Sequence, residues 1–111
     1  MSDSSPQPVA ELSERQRSSS RNLLRTLADE RRRTTLTVLA DASTPIDLRT
    51  VARRVATHET SDGVTTERIE DVHVSLHHIH LPALADVDLA SYEPNRGVVV
   101  DAVEDAEPIL P

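Results

Sequence analysis

The chain has no cysteine, no lysine, one aromatic residue (Tyr92) and only two glycines, Gly63 and Gly97, in 111 residues. Each shortage excludes something. Without cysteine there is neither a disulfide framework nor a thiolate metal site, which suits a reducing compartment. Two isolated glycines cannot build a phosphate-cradling loop, and no nucleophile motif accompanies the histidines and carboxylates. The sequence therefore reads as a non-enzyme without a cofactor. No apolar run approaches the roughly 20 residues that cross a bilayer, and Met1-Ser2-Asp3-Ser4-Ser5-Pro6 lacks the features of a signal peptide. The expectation is a soluble, cytoplasmic protein with no membrane contact. Leu, Val, Ile and Ala must supply the whole core, without the large buried area of aromatic rings. A domain of roughly 80 ordered residues buries only about 60–65% of its unfolded surface, so a homodimer is expected to relieve a marginal monomer.

What is abundant is charge. All 12 basic residues are arginine, and 19 carboxylates leave a net charge of −7. Acid excess with lysine depletion is what a high-salt cytoplasm favours, because carboxylates keep a surface solvated there. A GC-rich genome choosing arginine codons is the other explanation; the halophilic one is preferred. Ten arginines in residues 15–54 face only Asp29, Glu30, Asp41 and Asp47, whereas residues 55–111 set Arg68 and Arg96 against twelve carboxylates. The basic half is either a surface for a polyanion or the complement of the acidic half, within the fold or across a dimer. Composition leaves both open.

Residues 1–18 are polar and read as a disordered arm, residues 19–103 as one domain, and residues 104–111 as a polar tail. A first helix is predicted over about 19–27, with Leu23, Leu24 and Leu27 on one face. Asp29 is placed to cap a second over about 30–41, turning Leu36, Leu39 and Ala40 inward. Arg31, Arg32 and Arg33 occupy its first turn, where the macrodipole disfavours cations, so another interaction must justify them. Asp47 caps a third helix, over 48–57, in which Leu48, Val51, Ala52, Val55 and Ala56 make the clearest amphipathic stripe of the chain. After a loop from Thr57 to Thr65, a fourth helix spans 66–80 with Ile69, Val72, Leu76 and Ile79 inward. Pro82 should kink or restart it. Leu89–Glu93 and Val98–Val103 are strand candidates joined by the turn Pro94-Asn95-Arg96-Gly97.

The run Leu23 to Arg33 and the segment Leu76-His77-His78-Ile79-His80-Leu81-Pro82-Ala83-Leu84-Ala85-Asp86 carry a resemblance. Together with the order of elements they resemble a winged helix-turn-helix domain of small archaeal regulators related to ArsR-type repressors, in its haloarchaeal branch, over roughly residues 21–103. The resemblance implies an α+β fold, mainly α, with four to five helices and a C-terminal β-hairpin as the wing. It also implies a transcriptional regulator that binds double-stranded DNA as a homodimer, with helix one and the C-terminal segment forming the dimer contact. Two departures stand out: the connection between helices three and four is about eight residues against the usual three or four, and Asp88 stands where the resemblance leads one to expect glycine. Asp tolerates the left-handed conformation better than most residues.

In a helix-turn-helix the second helix enters the major groove. Placed at 100° intervals, helix four turns Glu67, Glu70, Asp71, Val74, Ser75 and His78 outward. The candidate DNA contacts are Thr65, Thr66, Arg68, Ser75 and His78, with Arg53 and Arg54 on phosphates and Arg96 at the wing tip. Three carboxylates on that face oppose a phosphate-lined groove. The alternative is a winged-helix module that serves protein interaction or dimerisation and does not touch DNA, with a protein partner instead. His73, His77 and His80 follow i, i+4, i+7, a spacing able to hold a transition metal, but packed or interface histidines explain them with fewer assumptions. No metal is assigned.

Overall fold

The structure is a computed structural model and describes residues 21–104. The polar arm expected over 1–18 and the tail beyond Glu104 lie outside the described residues. The described chain opens in a helix, α1 (21–27), which buries Leu27 and leaves Leu24 67% exposed. Leu24 thus departs from the inward face expected of it: only one edge of α1 meets the core. Asp29 starts α2 (Glu30–Asp41), its side chain accepting the Arg32 amide hydrogen at 3.1 Å. Leu36, Val38 and Leu39 enter the core from α2, together with Thr35, whose hydroxyl donates to the Arg31 carbonyl at 2.7 Å. That bond is why a hydroxyl is tolerated in a fully buried place.

A two-residue strand, β1 (Ile46–Asp47), leads directly into α3 (Leu48–Glu59). Asp47 closes its first turn, accepting from the Thr50 amide at 3.1 Å and the Thr50 hydroxyl at 2.6 Å. The stripe Leu48, Val51, Ala52, Val55 and Ala56 is buried as its spacing requires. Because α3 runs on to Glu59, only residues 60–65 connect it to α4 (Thr66–Ser75), so the connection is shorter than the sequence suggested.

The largest departure lies after Ser75. Residues Leu76–His80 form a π turn, in which the Leu81 amide donates to the Leu76 carbonyl, before α5 (Leu81–Asp86) resumes the α geometry. In an α-helix the inward neighbours of Leu76 would be Ile79 and His80. The wider turn advances them to His80 and Leu81. Ile79 is accordingly 52% exposed, against its expected place in the core, whereas His80 is 6% and Leu81 0% exposed. Pro82, which has no amide hydrogen and crowds the carbonyl four residues back, supplies a reason for the helix to widen there.

At the end of α5 the Leu89 amide donates to the Leu84 carbonyl at 2.9 Å and the Asp88 amide to the Ala85 carbonyl at 3.0 Å. This is a Schellman motif, with Asp88 at φ +62° in the position usually taken by glycine. The chain then forms β2 (Ala90–Glu93) and β3 (Val98–Ala102), a hairpin whose turn closes on Gly97 at φ +64°. The sheet is antiparallel in the order β1-β3-β2, pairing Ile46 with Val99 and Glu93 with Val98, and bulged between Ser91 and Tyr92. β1 was not expected; two residues are too few to carry a period. The architecture is a mainly helical α+β domain with a small three-stranded sheet, around one aliphatic core that includes Leu36, Leu48, Val55, Val72, Leu76 and Val99.

Candidate nucleic-acid interface

The three arginines that open α2 are justified by contacts, not by the helix dipole. Arg31 grips Glu59 at the end of α3 with two bonds, Nε to Oε2 at 2.6 Å and Nη2 to Oε1 at 2.8 Å, and donates to the Ser75 hydroxyl of α4 at 3.1 Å. The bond to Glu59, stronger than the cost of burial, holds the guanidinium more firmly protonated than usual. Arg32 donates from Nε to His80 Nδ1 at 3.0 Å and from Nη1 to the Thr26 carbonyl at 3.5 Å. Arg33 satisfies the Leu27 carbonyl at the end of α1 at 2.7 Å. The cluster therefore binds α1, α3, α4 and the π turn to the start of α2.

The residues expected to meet DNA fall into separate settings. Thr65 and Thr66 are exposed at the start of α4, and the Thr65 hydroxyl accepts the Arg68 amide at 3.1 Å as its cap. Arg68 is half-exposed, with Nη1 3.8 Å from Glu59. Arg53 and Arg54 are exposed and pair with no carboxylate among the described residues. They diverge, however: Arg54 joins Val38, Asp41, Thr57 and His58 around a shallow groove between α2 and α3. Ser75 is half-buried under Arg31 rather than free on the outer face. His78 is exposed and meets His77 edge to face, with ring centres 4.6 Å apart. Arg96 is exposed at the hairpin turn and pairs with Glu93 at 2.8 Å.

The carboxylates of α4 are partly answered by arginines of α2 and α3. Arg49 reaches Glu70 at 2.8 Å across the α3–α4 contact, and Asp71 lies 3.8 Å from Arg31. Glu67 has no cationic partner among the described residues. Of these residues Arg49 and Glu59 carry no signal in the sequence, and Arg31 stands out there only as one of three cations at a helix start. The misplaced cations at the start of α2 were the one signal that pointed to such pairing.

A second linkage joins the π turn to the hairpin. His77 Nδ1 lies 2.5 Å from the Tyr92 hydroxyl, and burial raises the pKa of that phenol. Beside Arg31, an open cleft of about 510 Å³ is walled by Asp29, Glu30, His58, Glu59, Arg68 and His80, among others. Its charges are mostly satisfied by one another. Among the described residues no three His, Asp or Glu side chains are arranged to hold a metal. Nor is any described helix long and apolar enough to cross a membrane.

Residues 24–100 match a protein family described as a domain of unknown function (DUF7344), and the chain belongs to that family. No curated protein and no solved structure matches it.

Proposed function

We propose that the chain is a winged helix-turn-helix DNA-binding protein, a dimeric transcriptional regulator of the haloarchaeal kind related to ArsR-type repressors, acting in the cytoplasm and without catalysis. The observation that carries this reading is the seating of the hairpin. β3 pairs with the strand that leads into α3, and the Leu48 amide donates to the Gly97 carbonyl at 2.8 Å. The turn bearing Arg96 is thereby held at the start of α3, the first helix of the α3–α4 pair. In this reading α4 enters the major groove with Thr65, Thr66 and Arg68 leading and His78 further along. Arg53 and Arg54 meet phosphates and Arg96 follows the backbone at the wing. Ser75, engaged by Arg31, then acts by supporting α4. At 1 M salt the screening length is about 3 Å, so an acidic outer face repels DNA only at contact.

A second reading, a winged-helix module for protein interaction or dimerisation, is favoured by the carboxylates Glu67, Glu70 and Asp71 on the exposed side of α4 and by Val74 among them, 56% exposed. The deciding experiment titrates the full chain against its own upstream DNA and an unrelated duplex in molar KCl, then at lower salt while the fold holds. Sequence-selective binding, weakened about tenfold or more in Arg53→Ala/Arg54→Ala with the fold intact, is the result expected of the DNA reading. Absence of selective binding at every such salt leaves the protein-partner reading in its place.

A further inference from the structure

His80 is the one buried histidine among the described residues. It ends the π turn, and its Nδ1 accepts the Arg32 Nε–H at 3.0 Å. An accepting imidazole nitrogen carries no proton, so the ring is neutral with its hydrogen on Nε2. The same guanidinium reaches the Thr26 carbonyl of α1. Asp29 Oδ1 stands 4.0 Å from the same Nδ1.

We propose that Arg32 and His80 form a proton-released latch: the neutral ring lets Arg32 tie α1 to the π turn, and a proton arriving at Nδ1 breaks the tie and hands the ring to Asp29. Protonation removes the lone pair that Arg32 uses and sets two cations face to face. The nearest carboxylate able to take the new N–H is Asp29, whose Oδ1 already caps α2.

Asp29, Arg31 and Arg32 from the start of α2 and Glu59 from α3 act on the charge of the ring, Glu30, His58 and Arg68 line the same cleft, and in its own turn His77 is engaged with Tyr92 while His78 is exposed. Burial opposes the charged ring most strongly, Arg32 and Arg31 add to that, and Asp29 and Glu59 act the other way; the balance holds the pKa below the ordinary histidine value. The folded ring therefore takes up its proton less readily than the unfolded one. The stability it contributes is complete above the unfolded value of about 6.5 and is lost as pH falls from there toward the lower folded value.

The test is imidazole nitrogen NMR of the full chain between about pH 8 and pH 5, in salt that keeps it folded. At the upper end His80 should show hydrogen on Nε2 alone. It should titrate below the ordinary value, and the Thr26 and Leu27 amide signals should move with the same midpoint. In Arg32→Met the ring should titrate closer to the ordinary value and the amide response should vanish. If that variant does not fold, His80→Gln serves: the drop in melting temperature from pH 7 to pH 5.5 should be smaller than in the parent. Hydrogen on Nδ1 at neutral pH would overturn the latch. So would amide shifts that are alike in parent and Arg32→Met, or an undiminished melting drop in His80→Gln.

Discussion

Arg31 and Glu59, 28 positions apart in the chain, meet through two parallel charge-assisted hydrogen bonds, and both side chains are about four-fifths buried. The planar guanidinium matches the carboxylate edge to edge, a geometry an ammonium cannot reproduce. With Ser75 held by the same guanidinium, one side chain from α2 sets α3 and α4 relative to each other.

Removing either partner should leave the other mostly buried and unmatched. Glu59→Gln is expected to cost about 1–3 kcal/mol, and Arg31→Lys nearly as much despite its retained charge. Denaturant unfolding of the two single variants and the double variant would measure the coupling. A coupling below about 0.5 kcal/mol would mean that the pair orients the helices without stabilising them.

The π turn makes an unusual division between neighbours. Ile79→Gln should change stability by no more than about 0.5 kcal/mol, because the side chain already stands half in solvent. Leu81→Ala should cost about 2–5 kcal/mol, as expected for a fully buried leucine. A continuous α-helix would have made Ile79 the expensive position, so thermal or chemical denaturation of both variants distinguishes the two geometries.

Asp88 bears a left-handed backbone that most side chains resist. Replacing it with glycine should be neutral or slightly stabilising, while Asp88→Val should cost about 1–2 kcal/mol. Melting temperatures of the pair give the comparison; equal values would show that the backbone there relaxes.

The two aspartate caps make stability sensitive to acid. The Thr50 hydroxyl and amide hold the Asp47 carboxyl below its usual range. At Asp29 burial pushes the other way but is outweighed by the Arg32 amide and by neighbouring positive charge. Both groups have depressed folded values, so their contribution is present above the ordinary carboxylate range near pH 4 and is lost as pH falls through the lower folded values. Asp47→Ala should cost about 1 kcal/mol at neutral pH and less in strong acid. A cost that does not change with pH would mean the cap acts through something other than its charge.

Much of this architecture is written in short spans of residues. Asp29 and Asp47 mark helix starts because a short acceptor side chain can reach the amide three residues on, and the period of Leu48, Val51, Ala52, Val55 and Ala56 declares the buried face of α3. Pro94 to Gly97 announces the hairpin in the same local way. Such features depend on neighbours a few positions apart, so the amino-acid order alone determines them. What required the tertiary structure is whatever joins distant positions: the pairing of Ile46 with Val99, the grip of Arg31 on Glu59, the contact of Arg32 with His80, and the π turn that exchanges Ile79 for His80 in the core. No period encodes those contacts, because each is chosen by which surfaces the packed helices bring within hydrogen-bond reach. The arginine cluster illustrates the division. Its odd place at a helix start was visible in the sequence, and only the folded chain reveals that its cations are spent on holding other elements together.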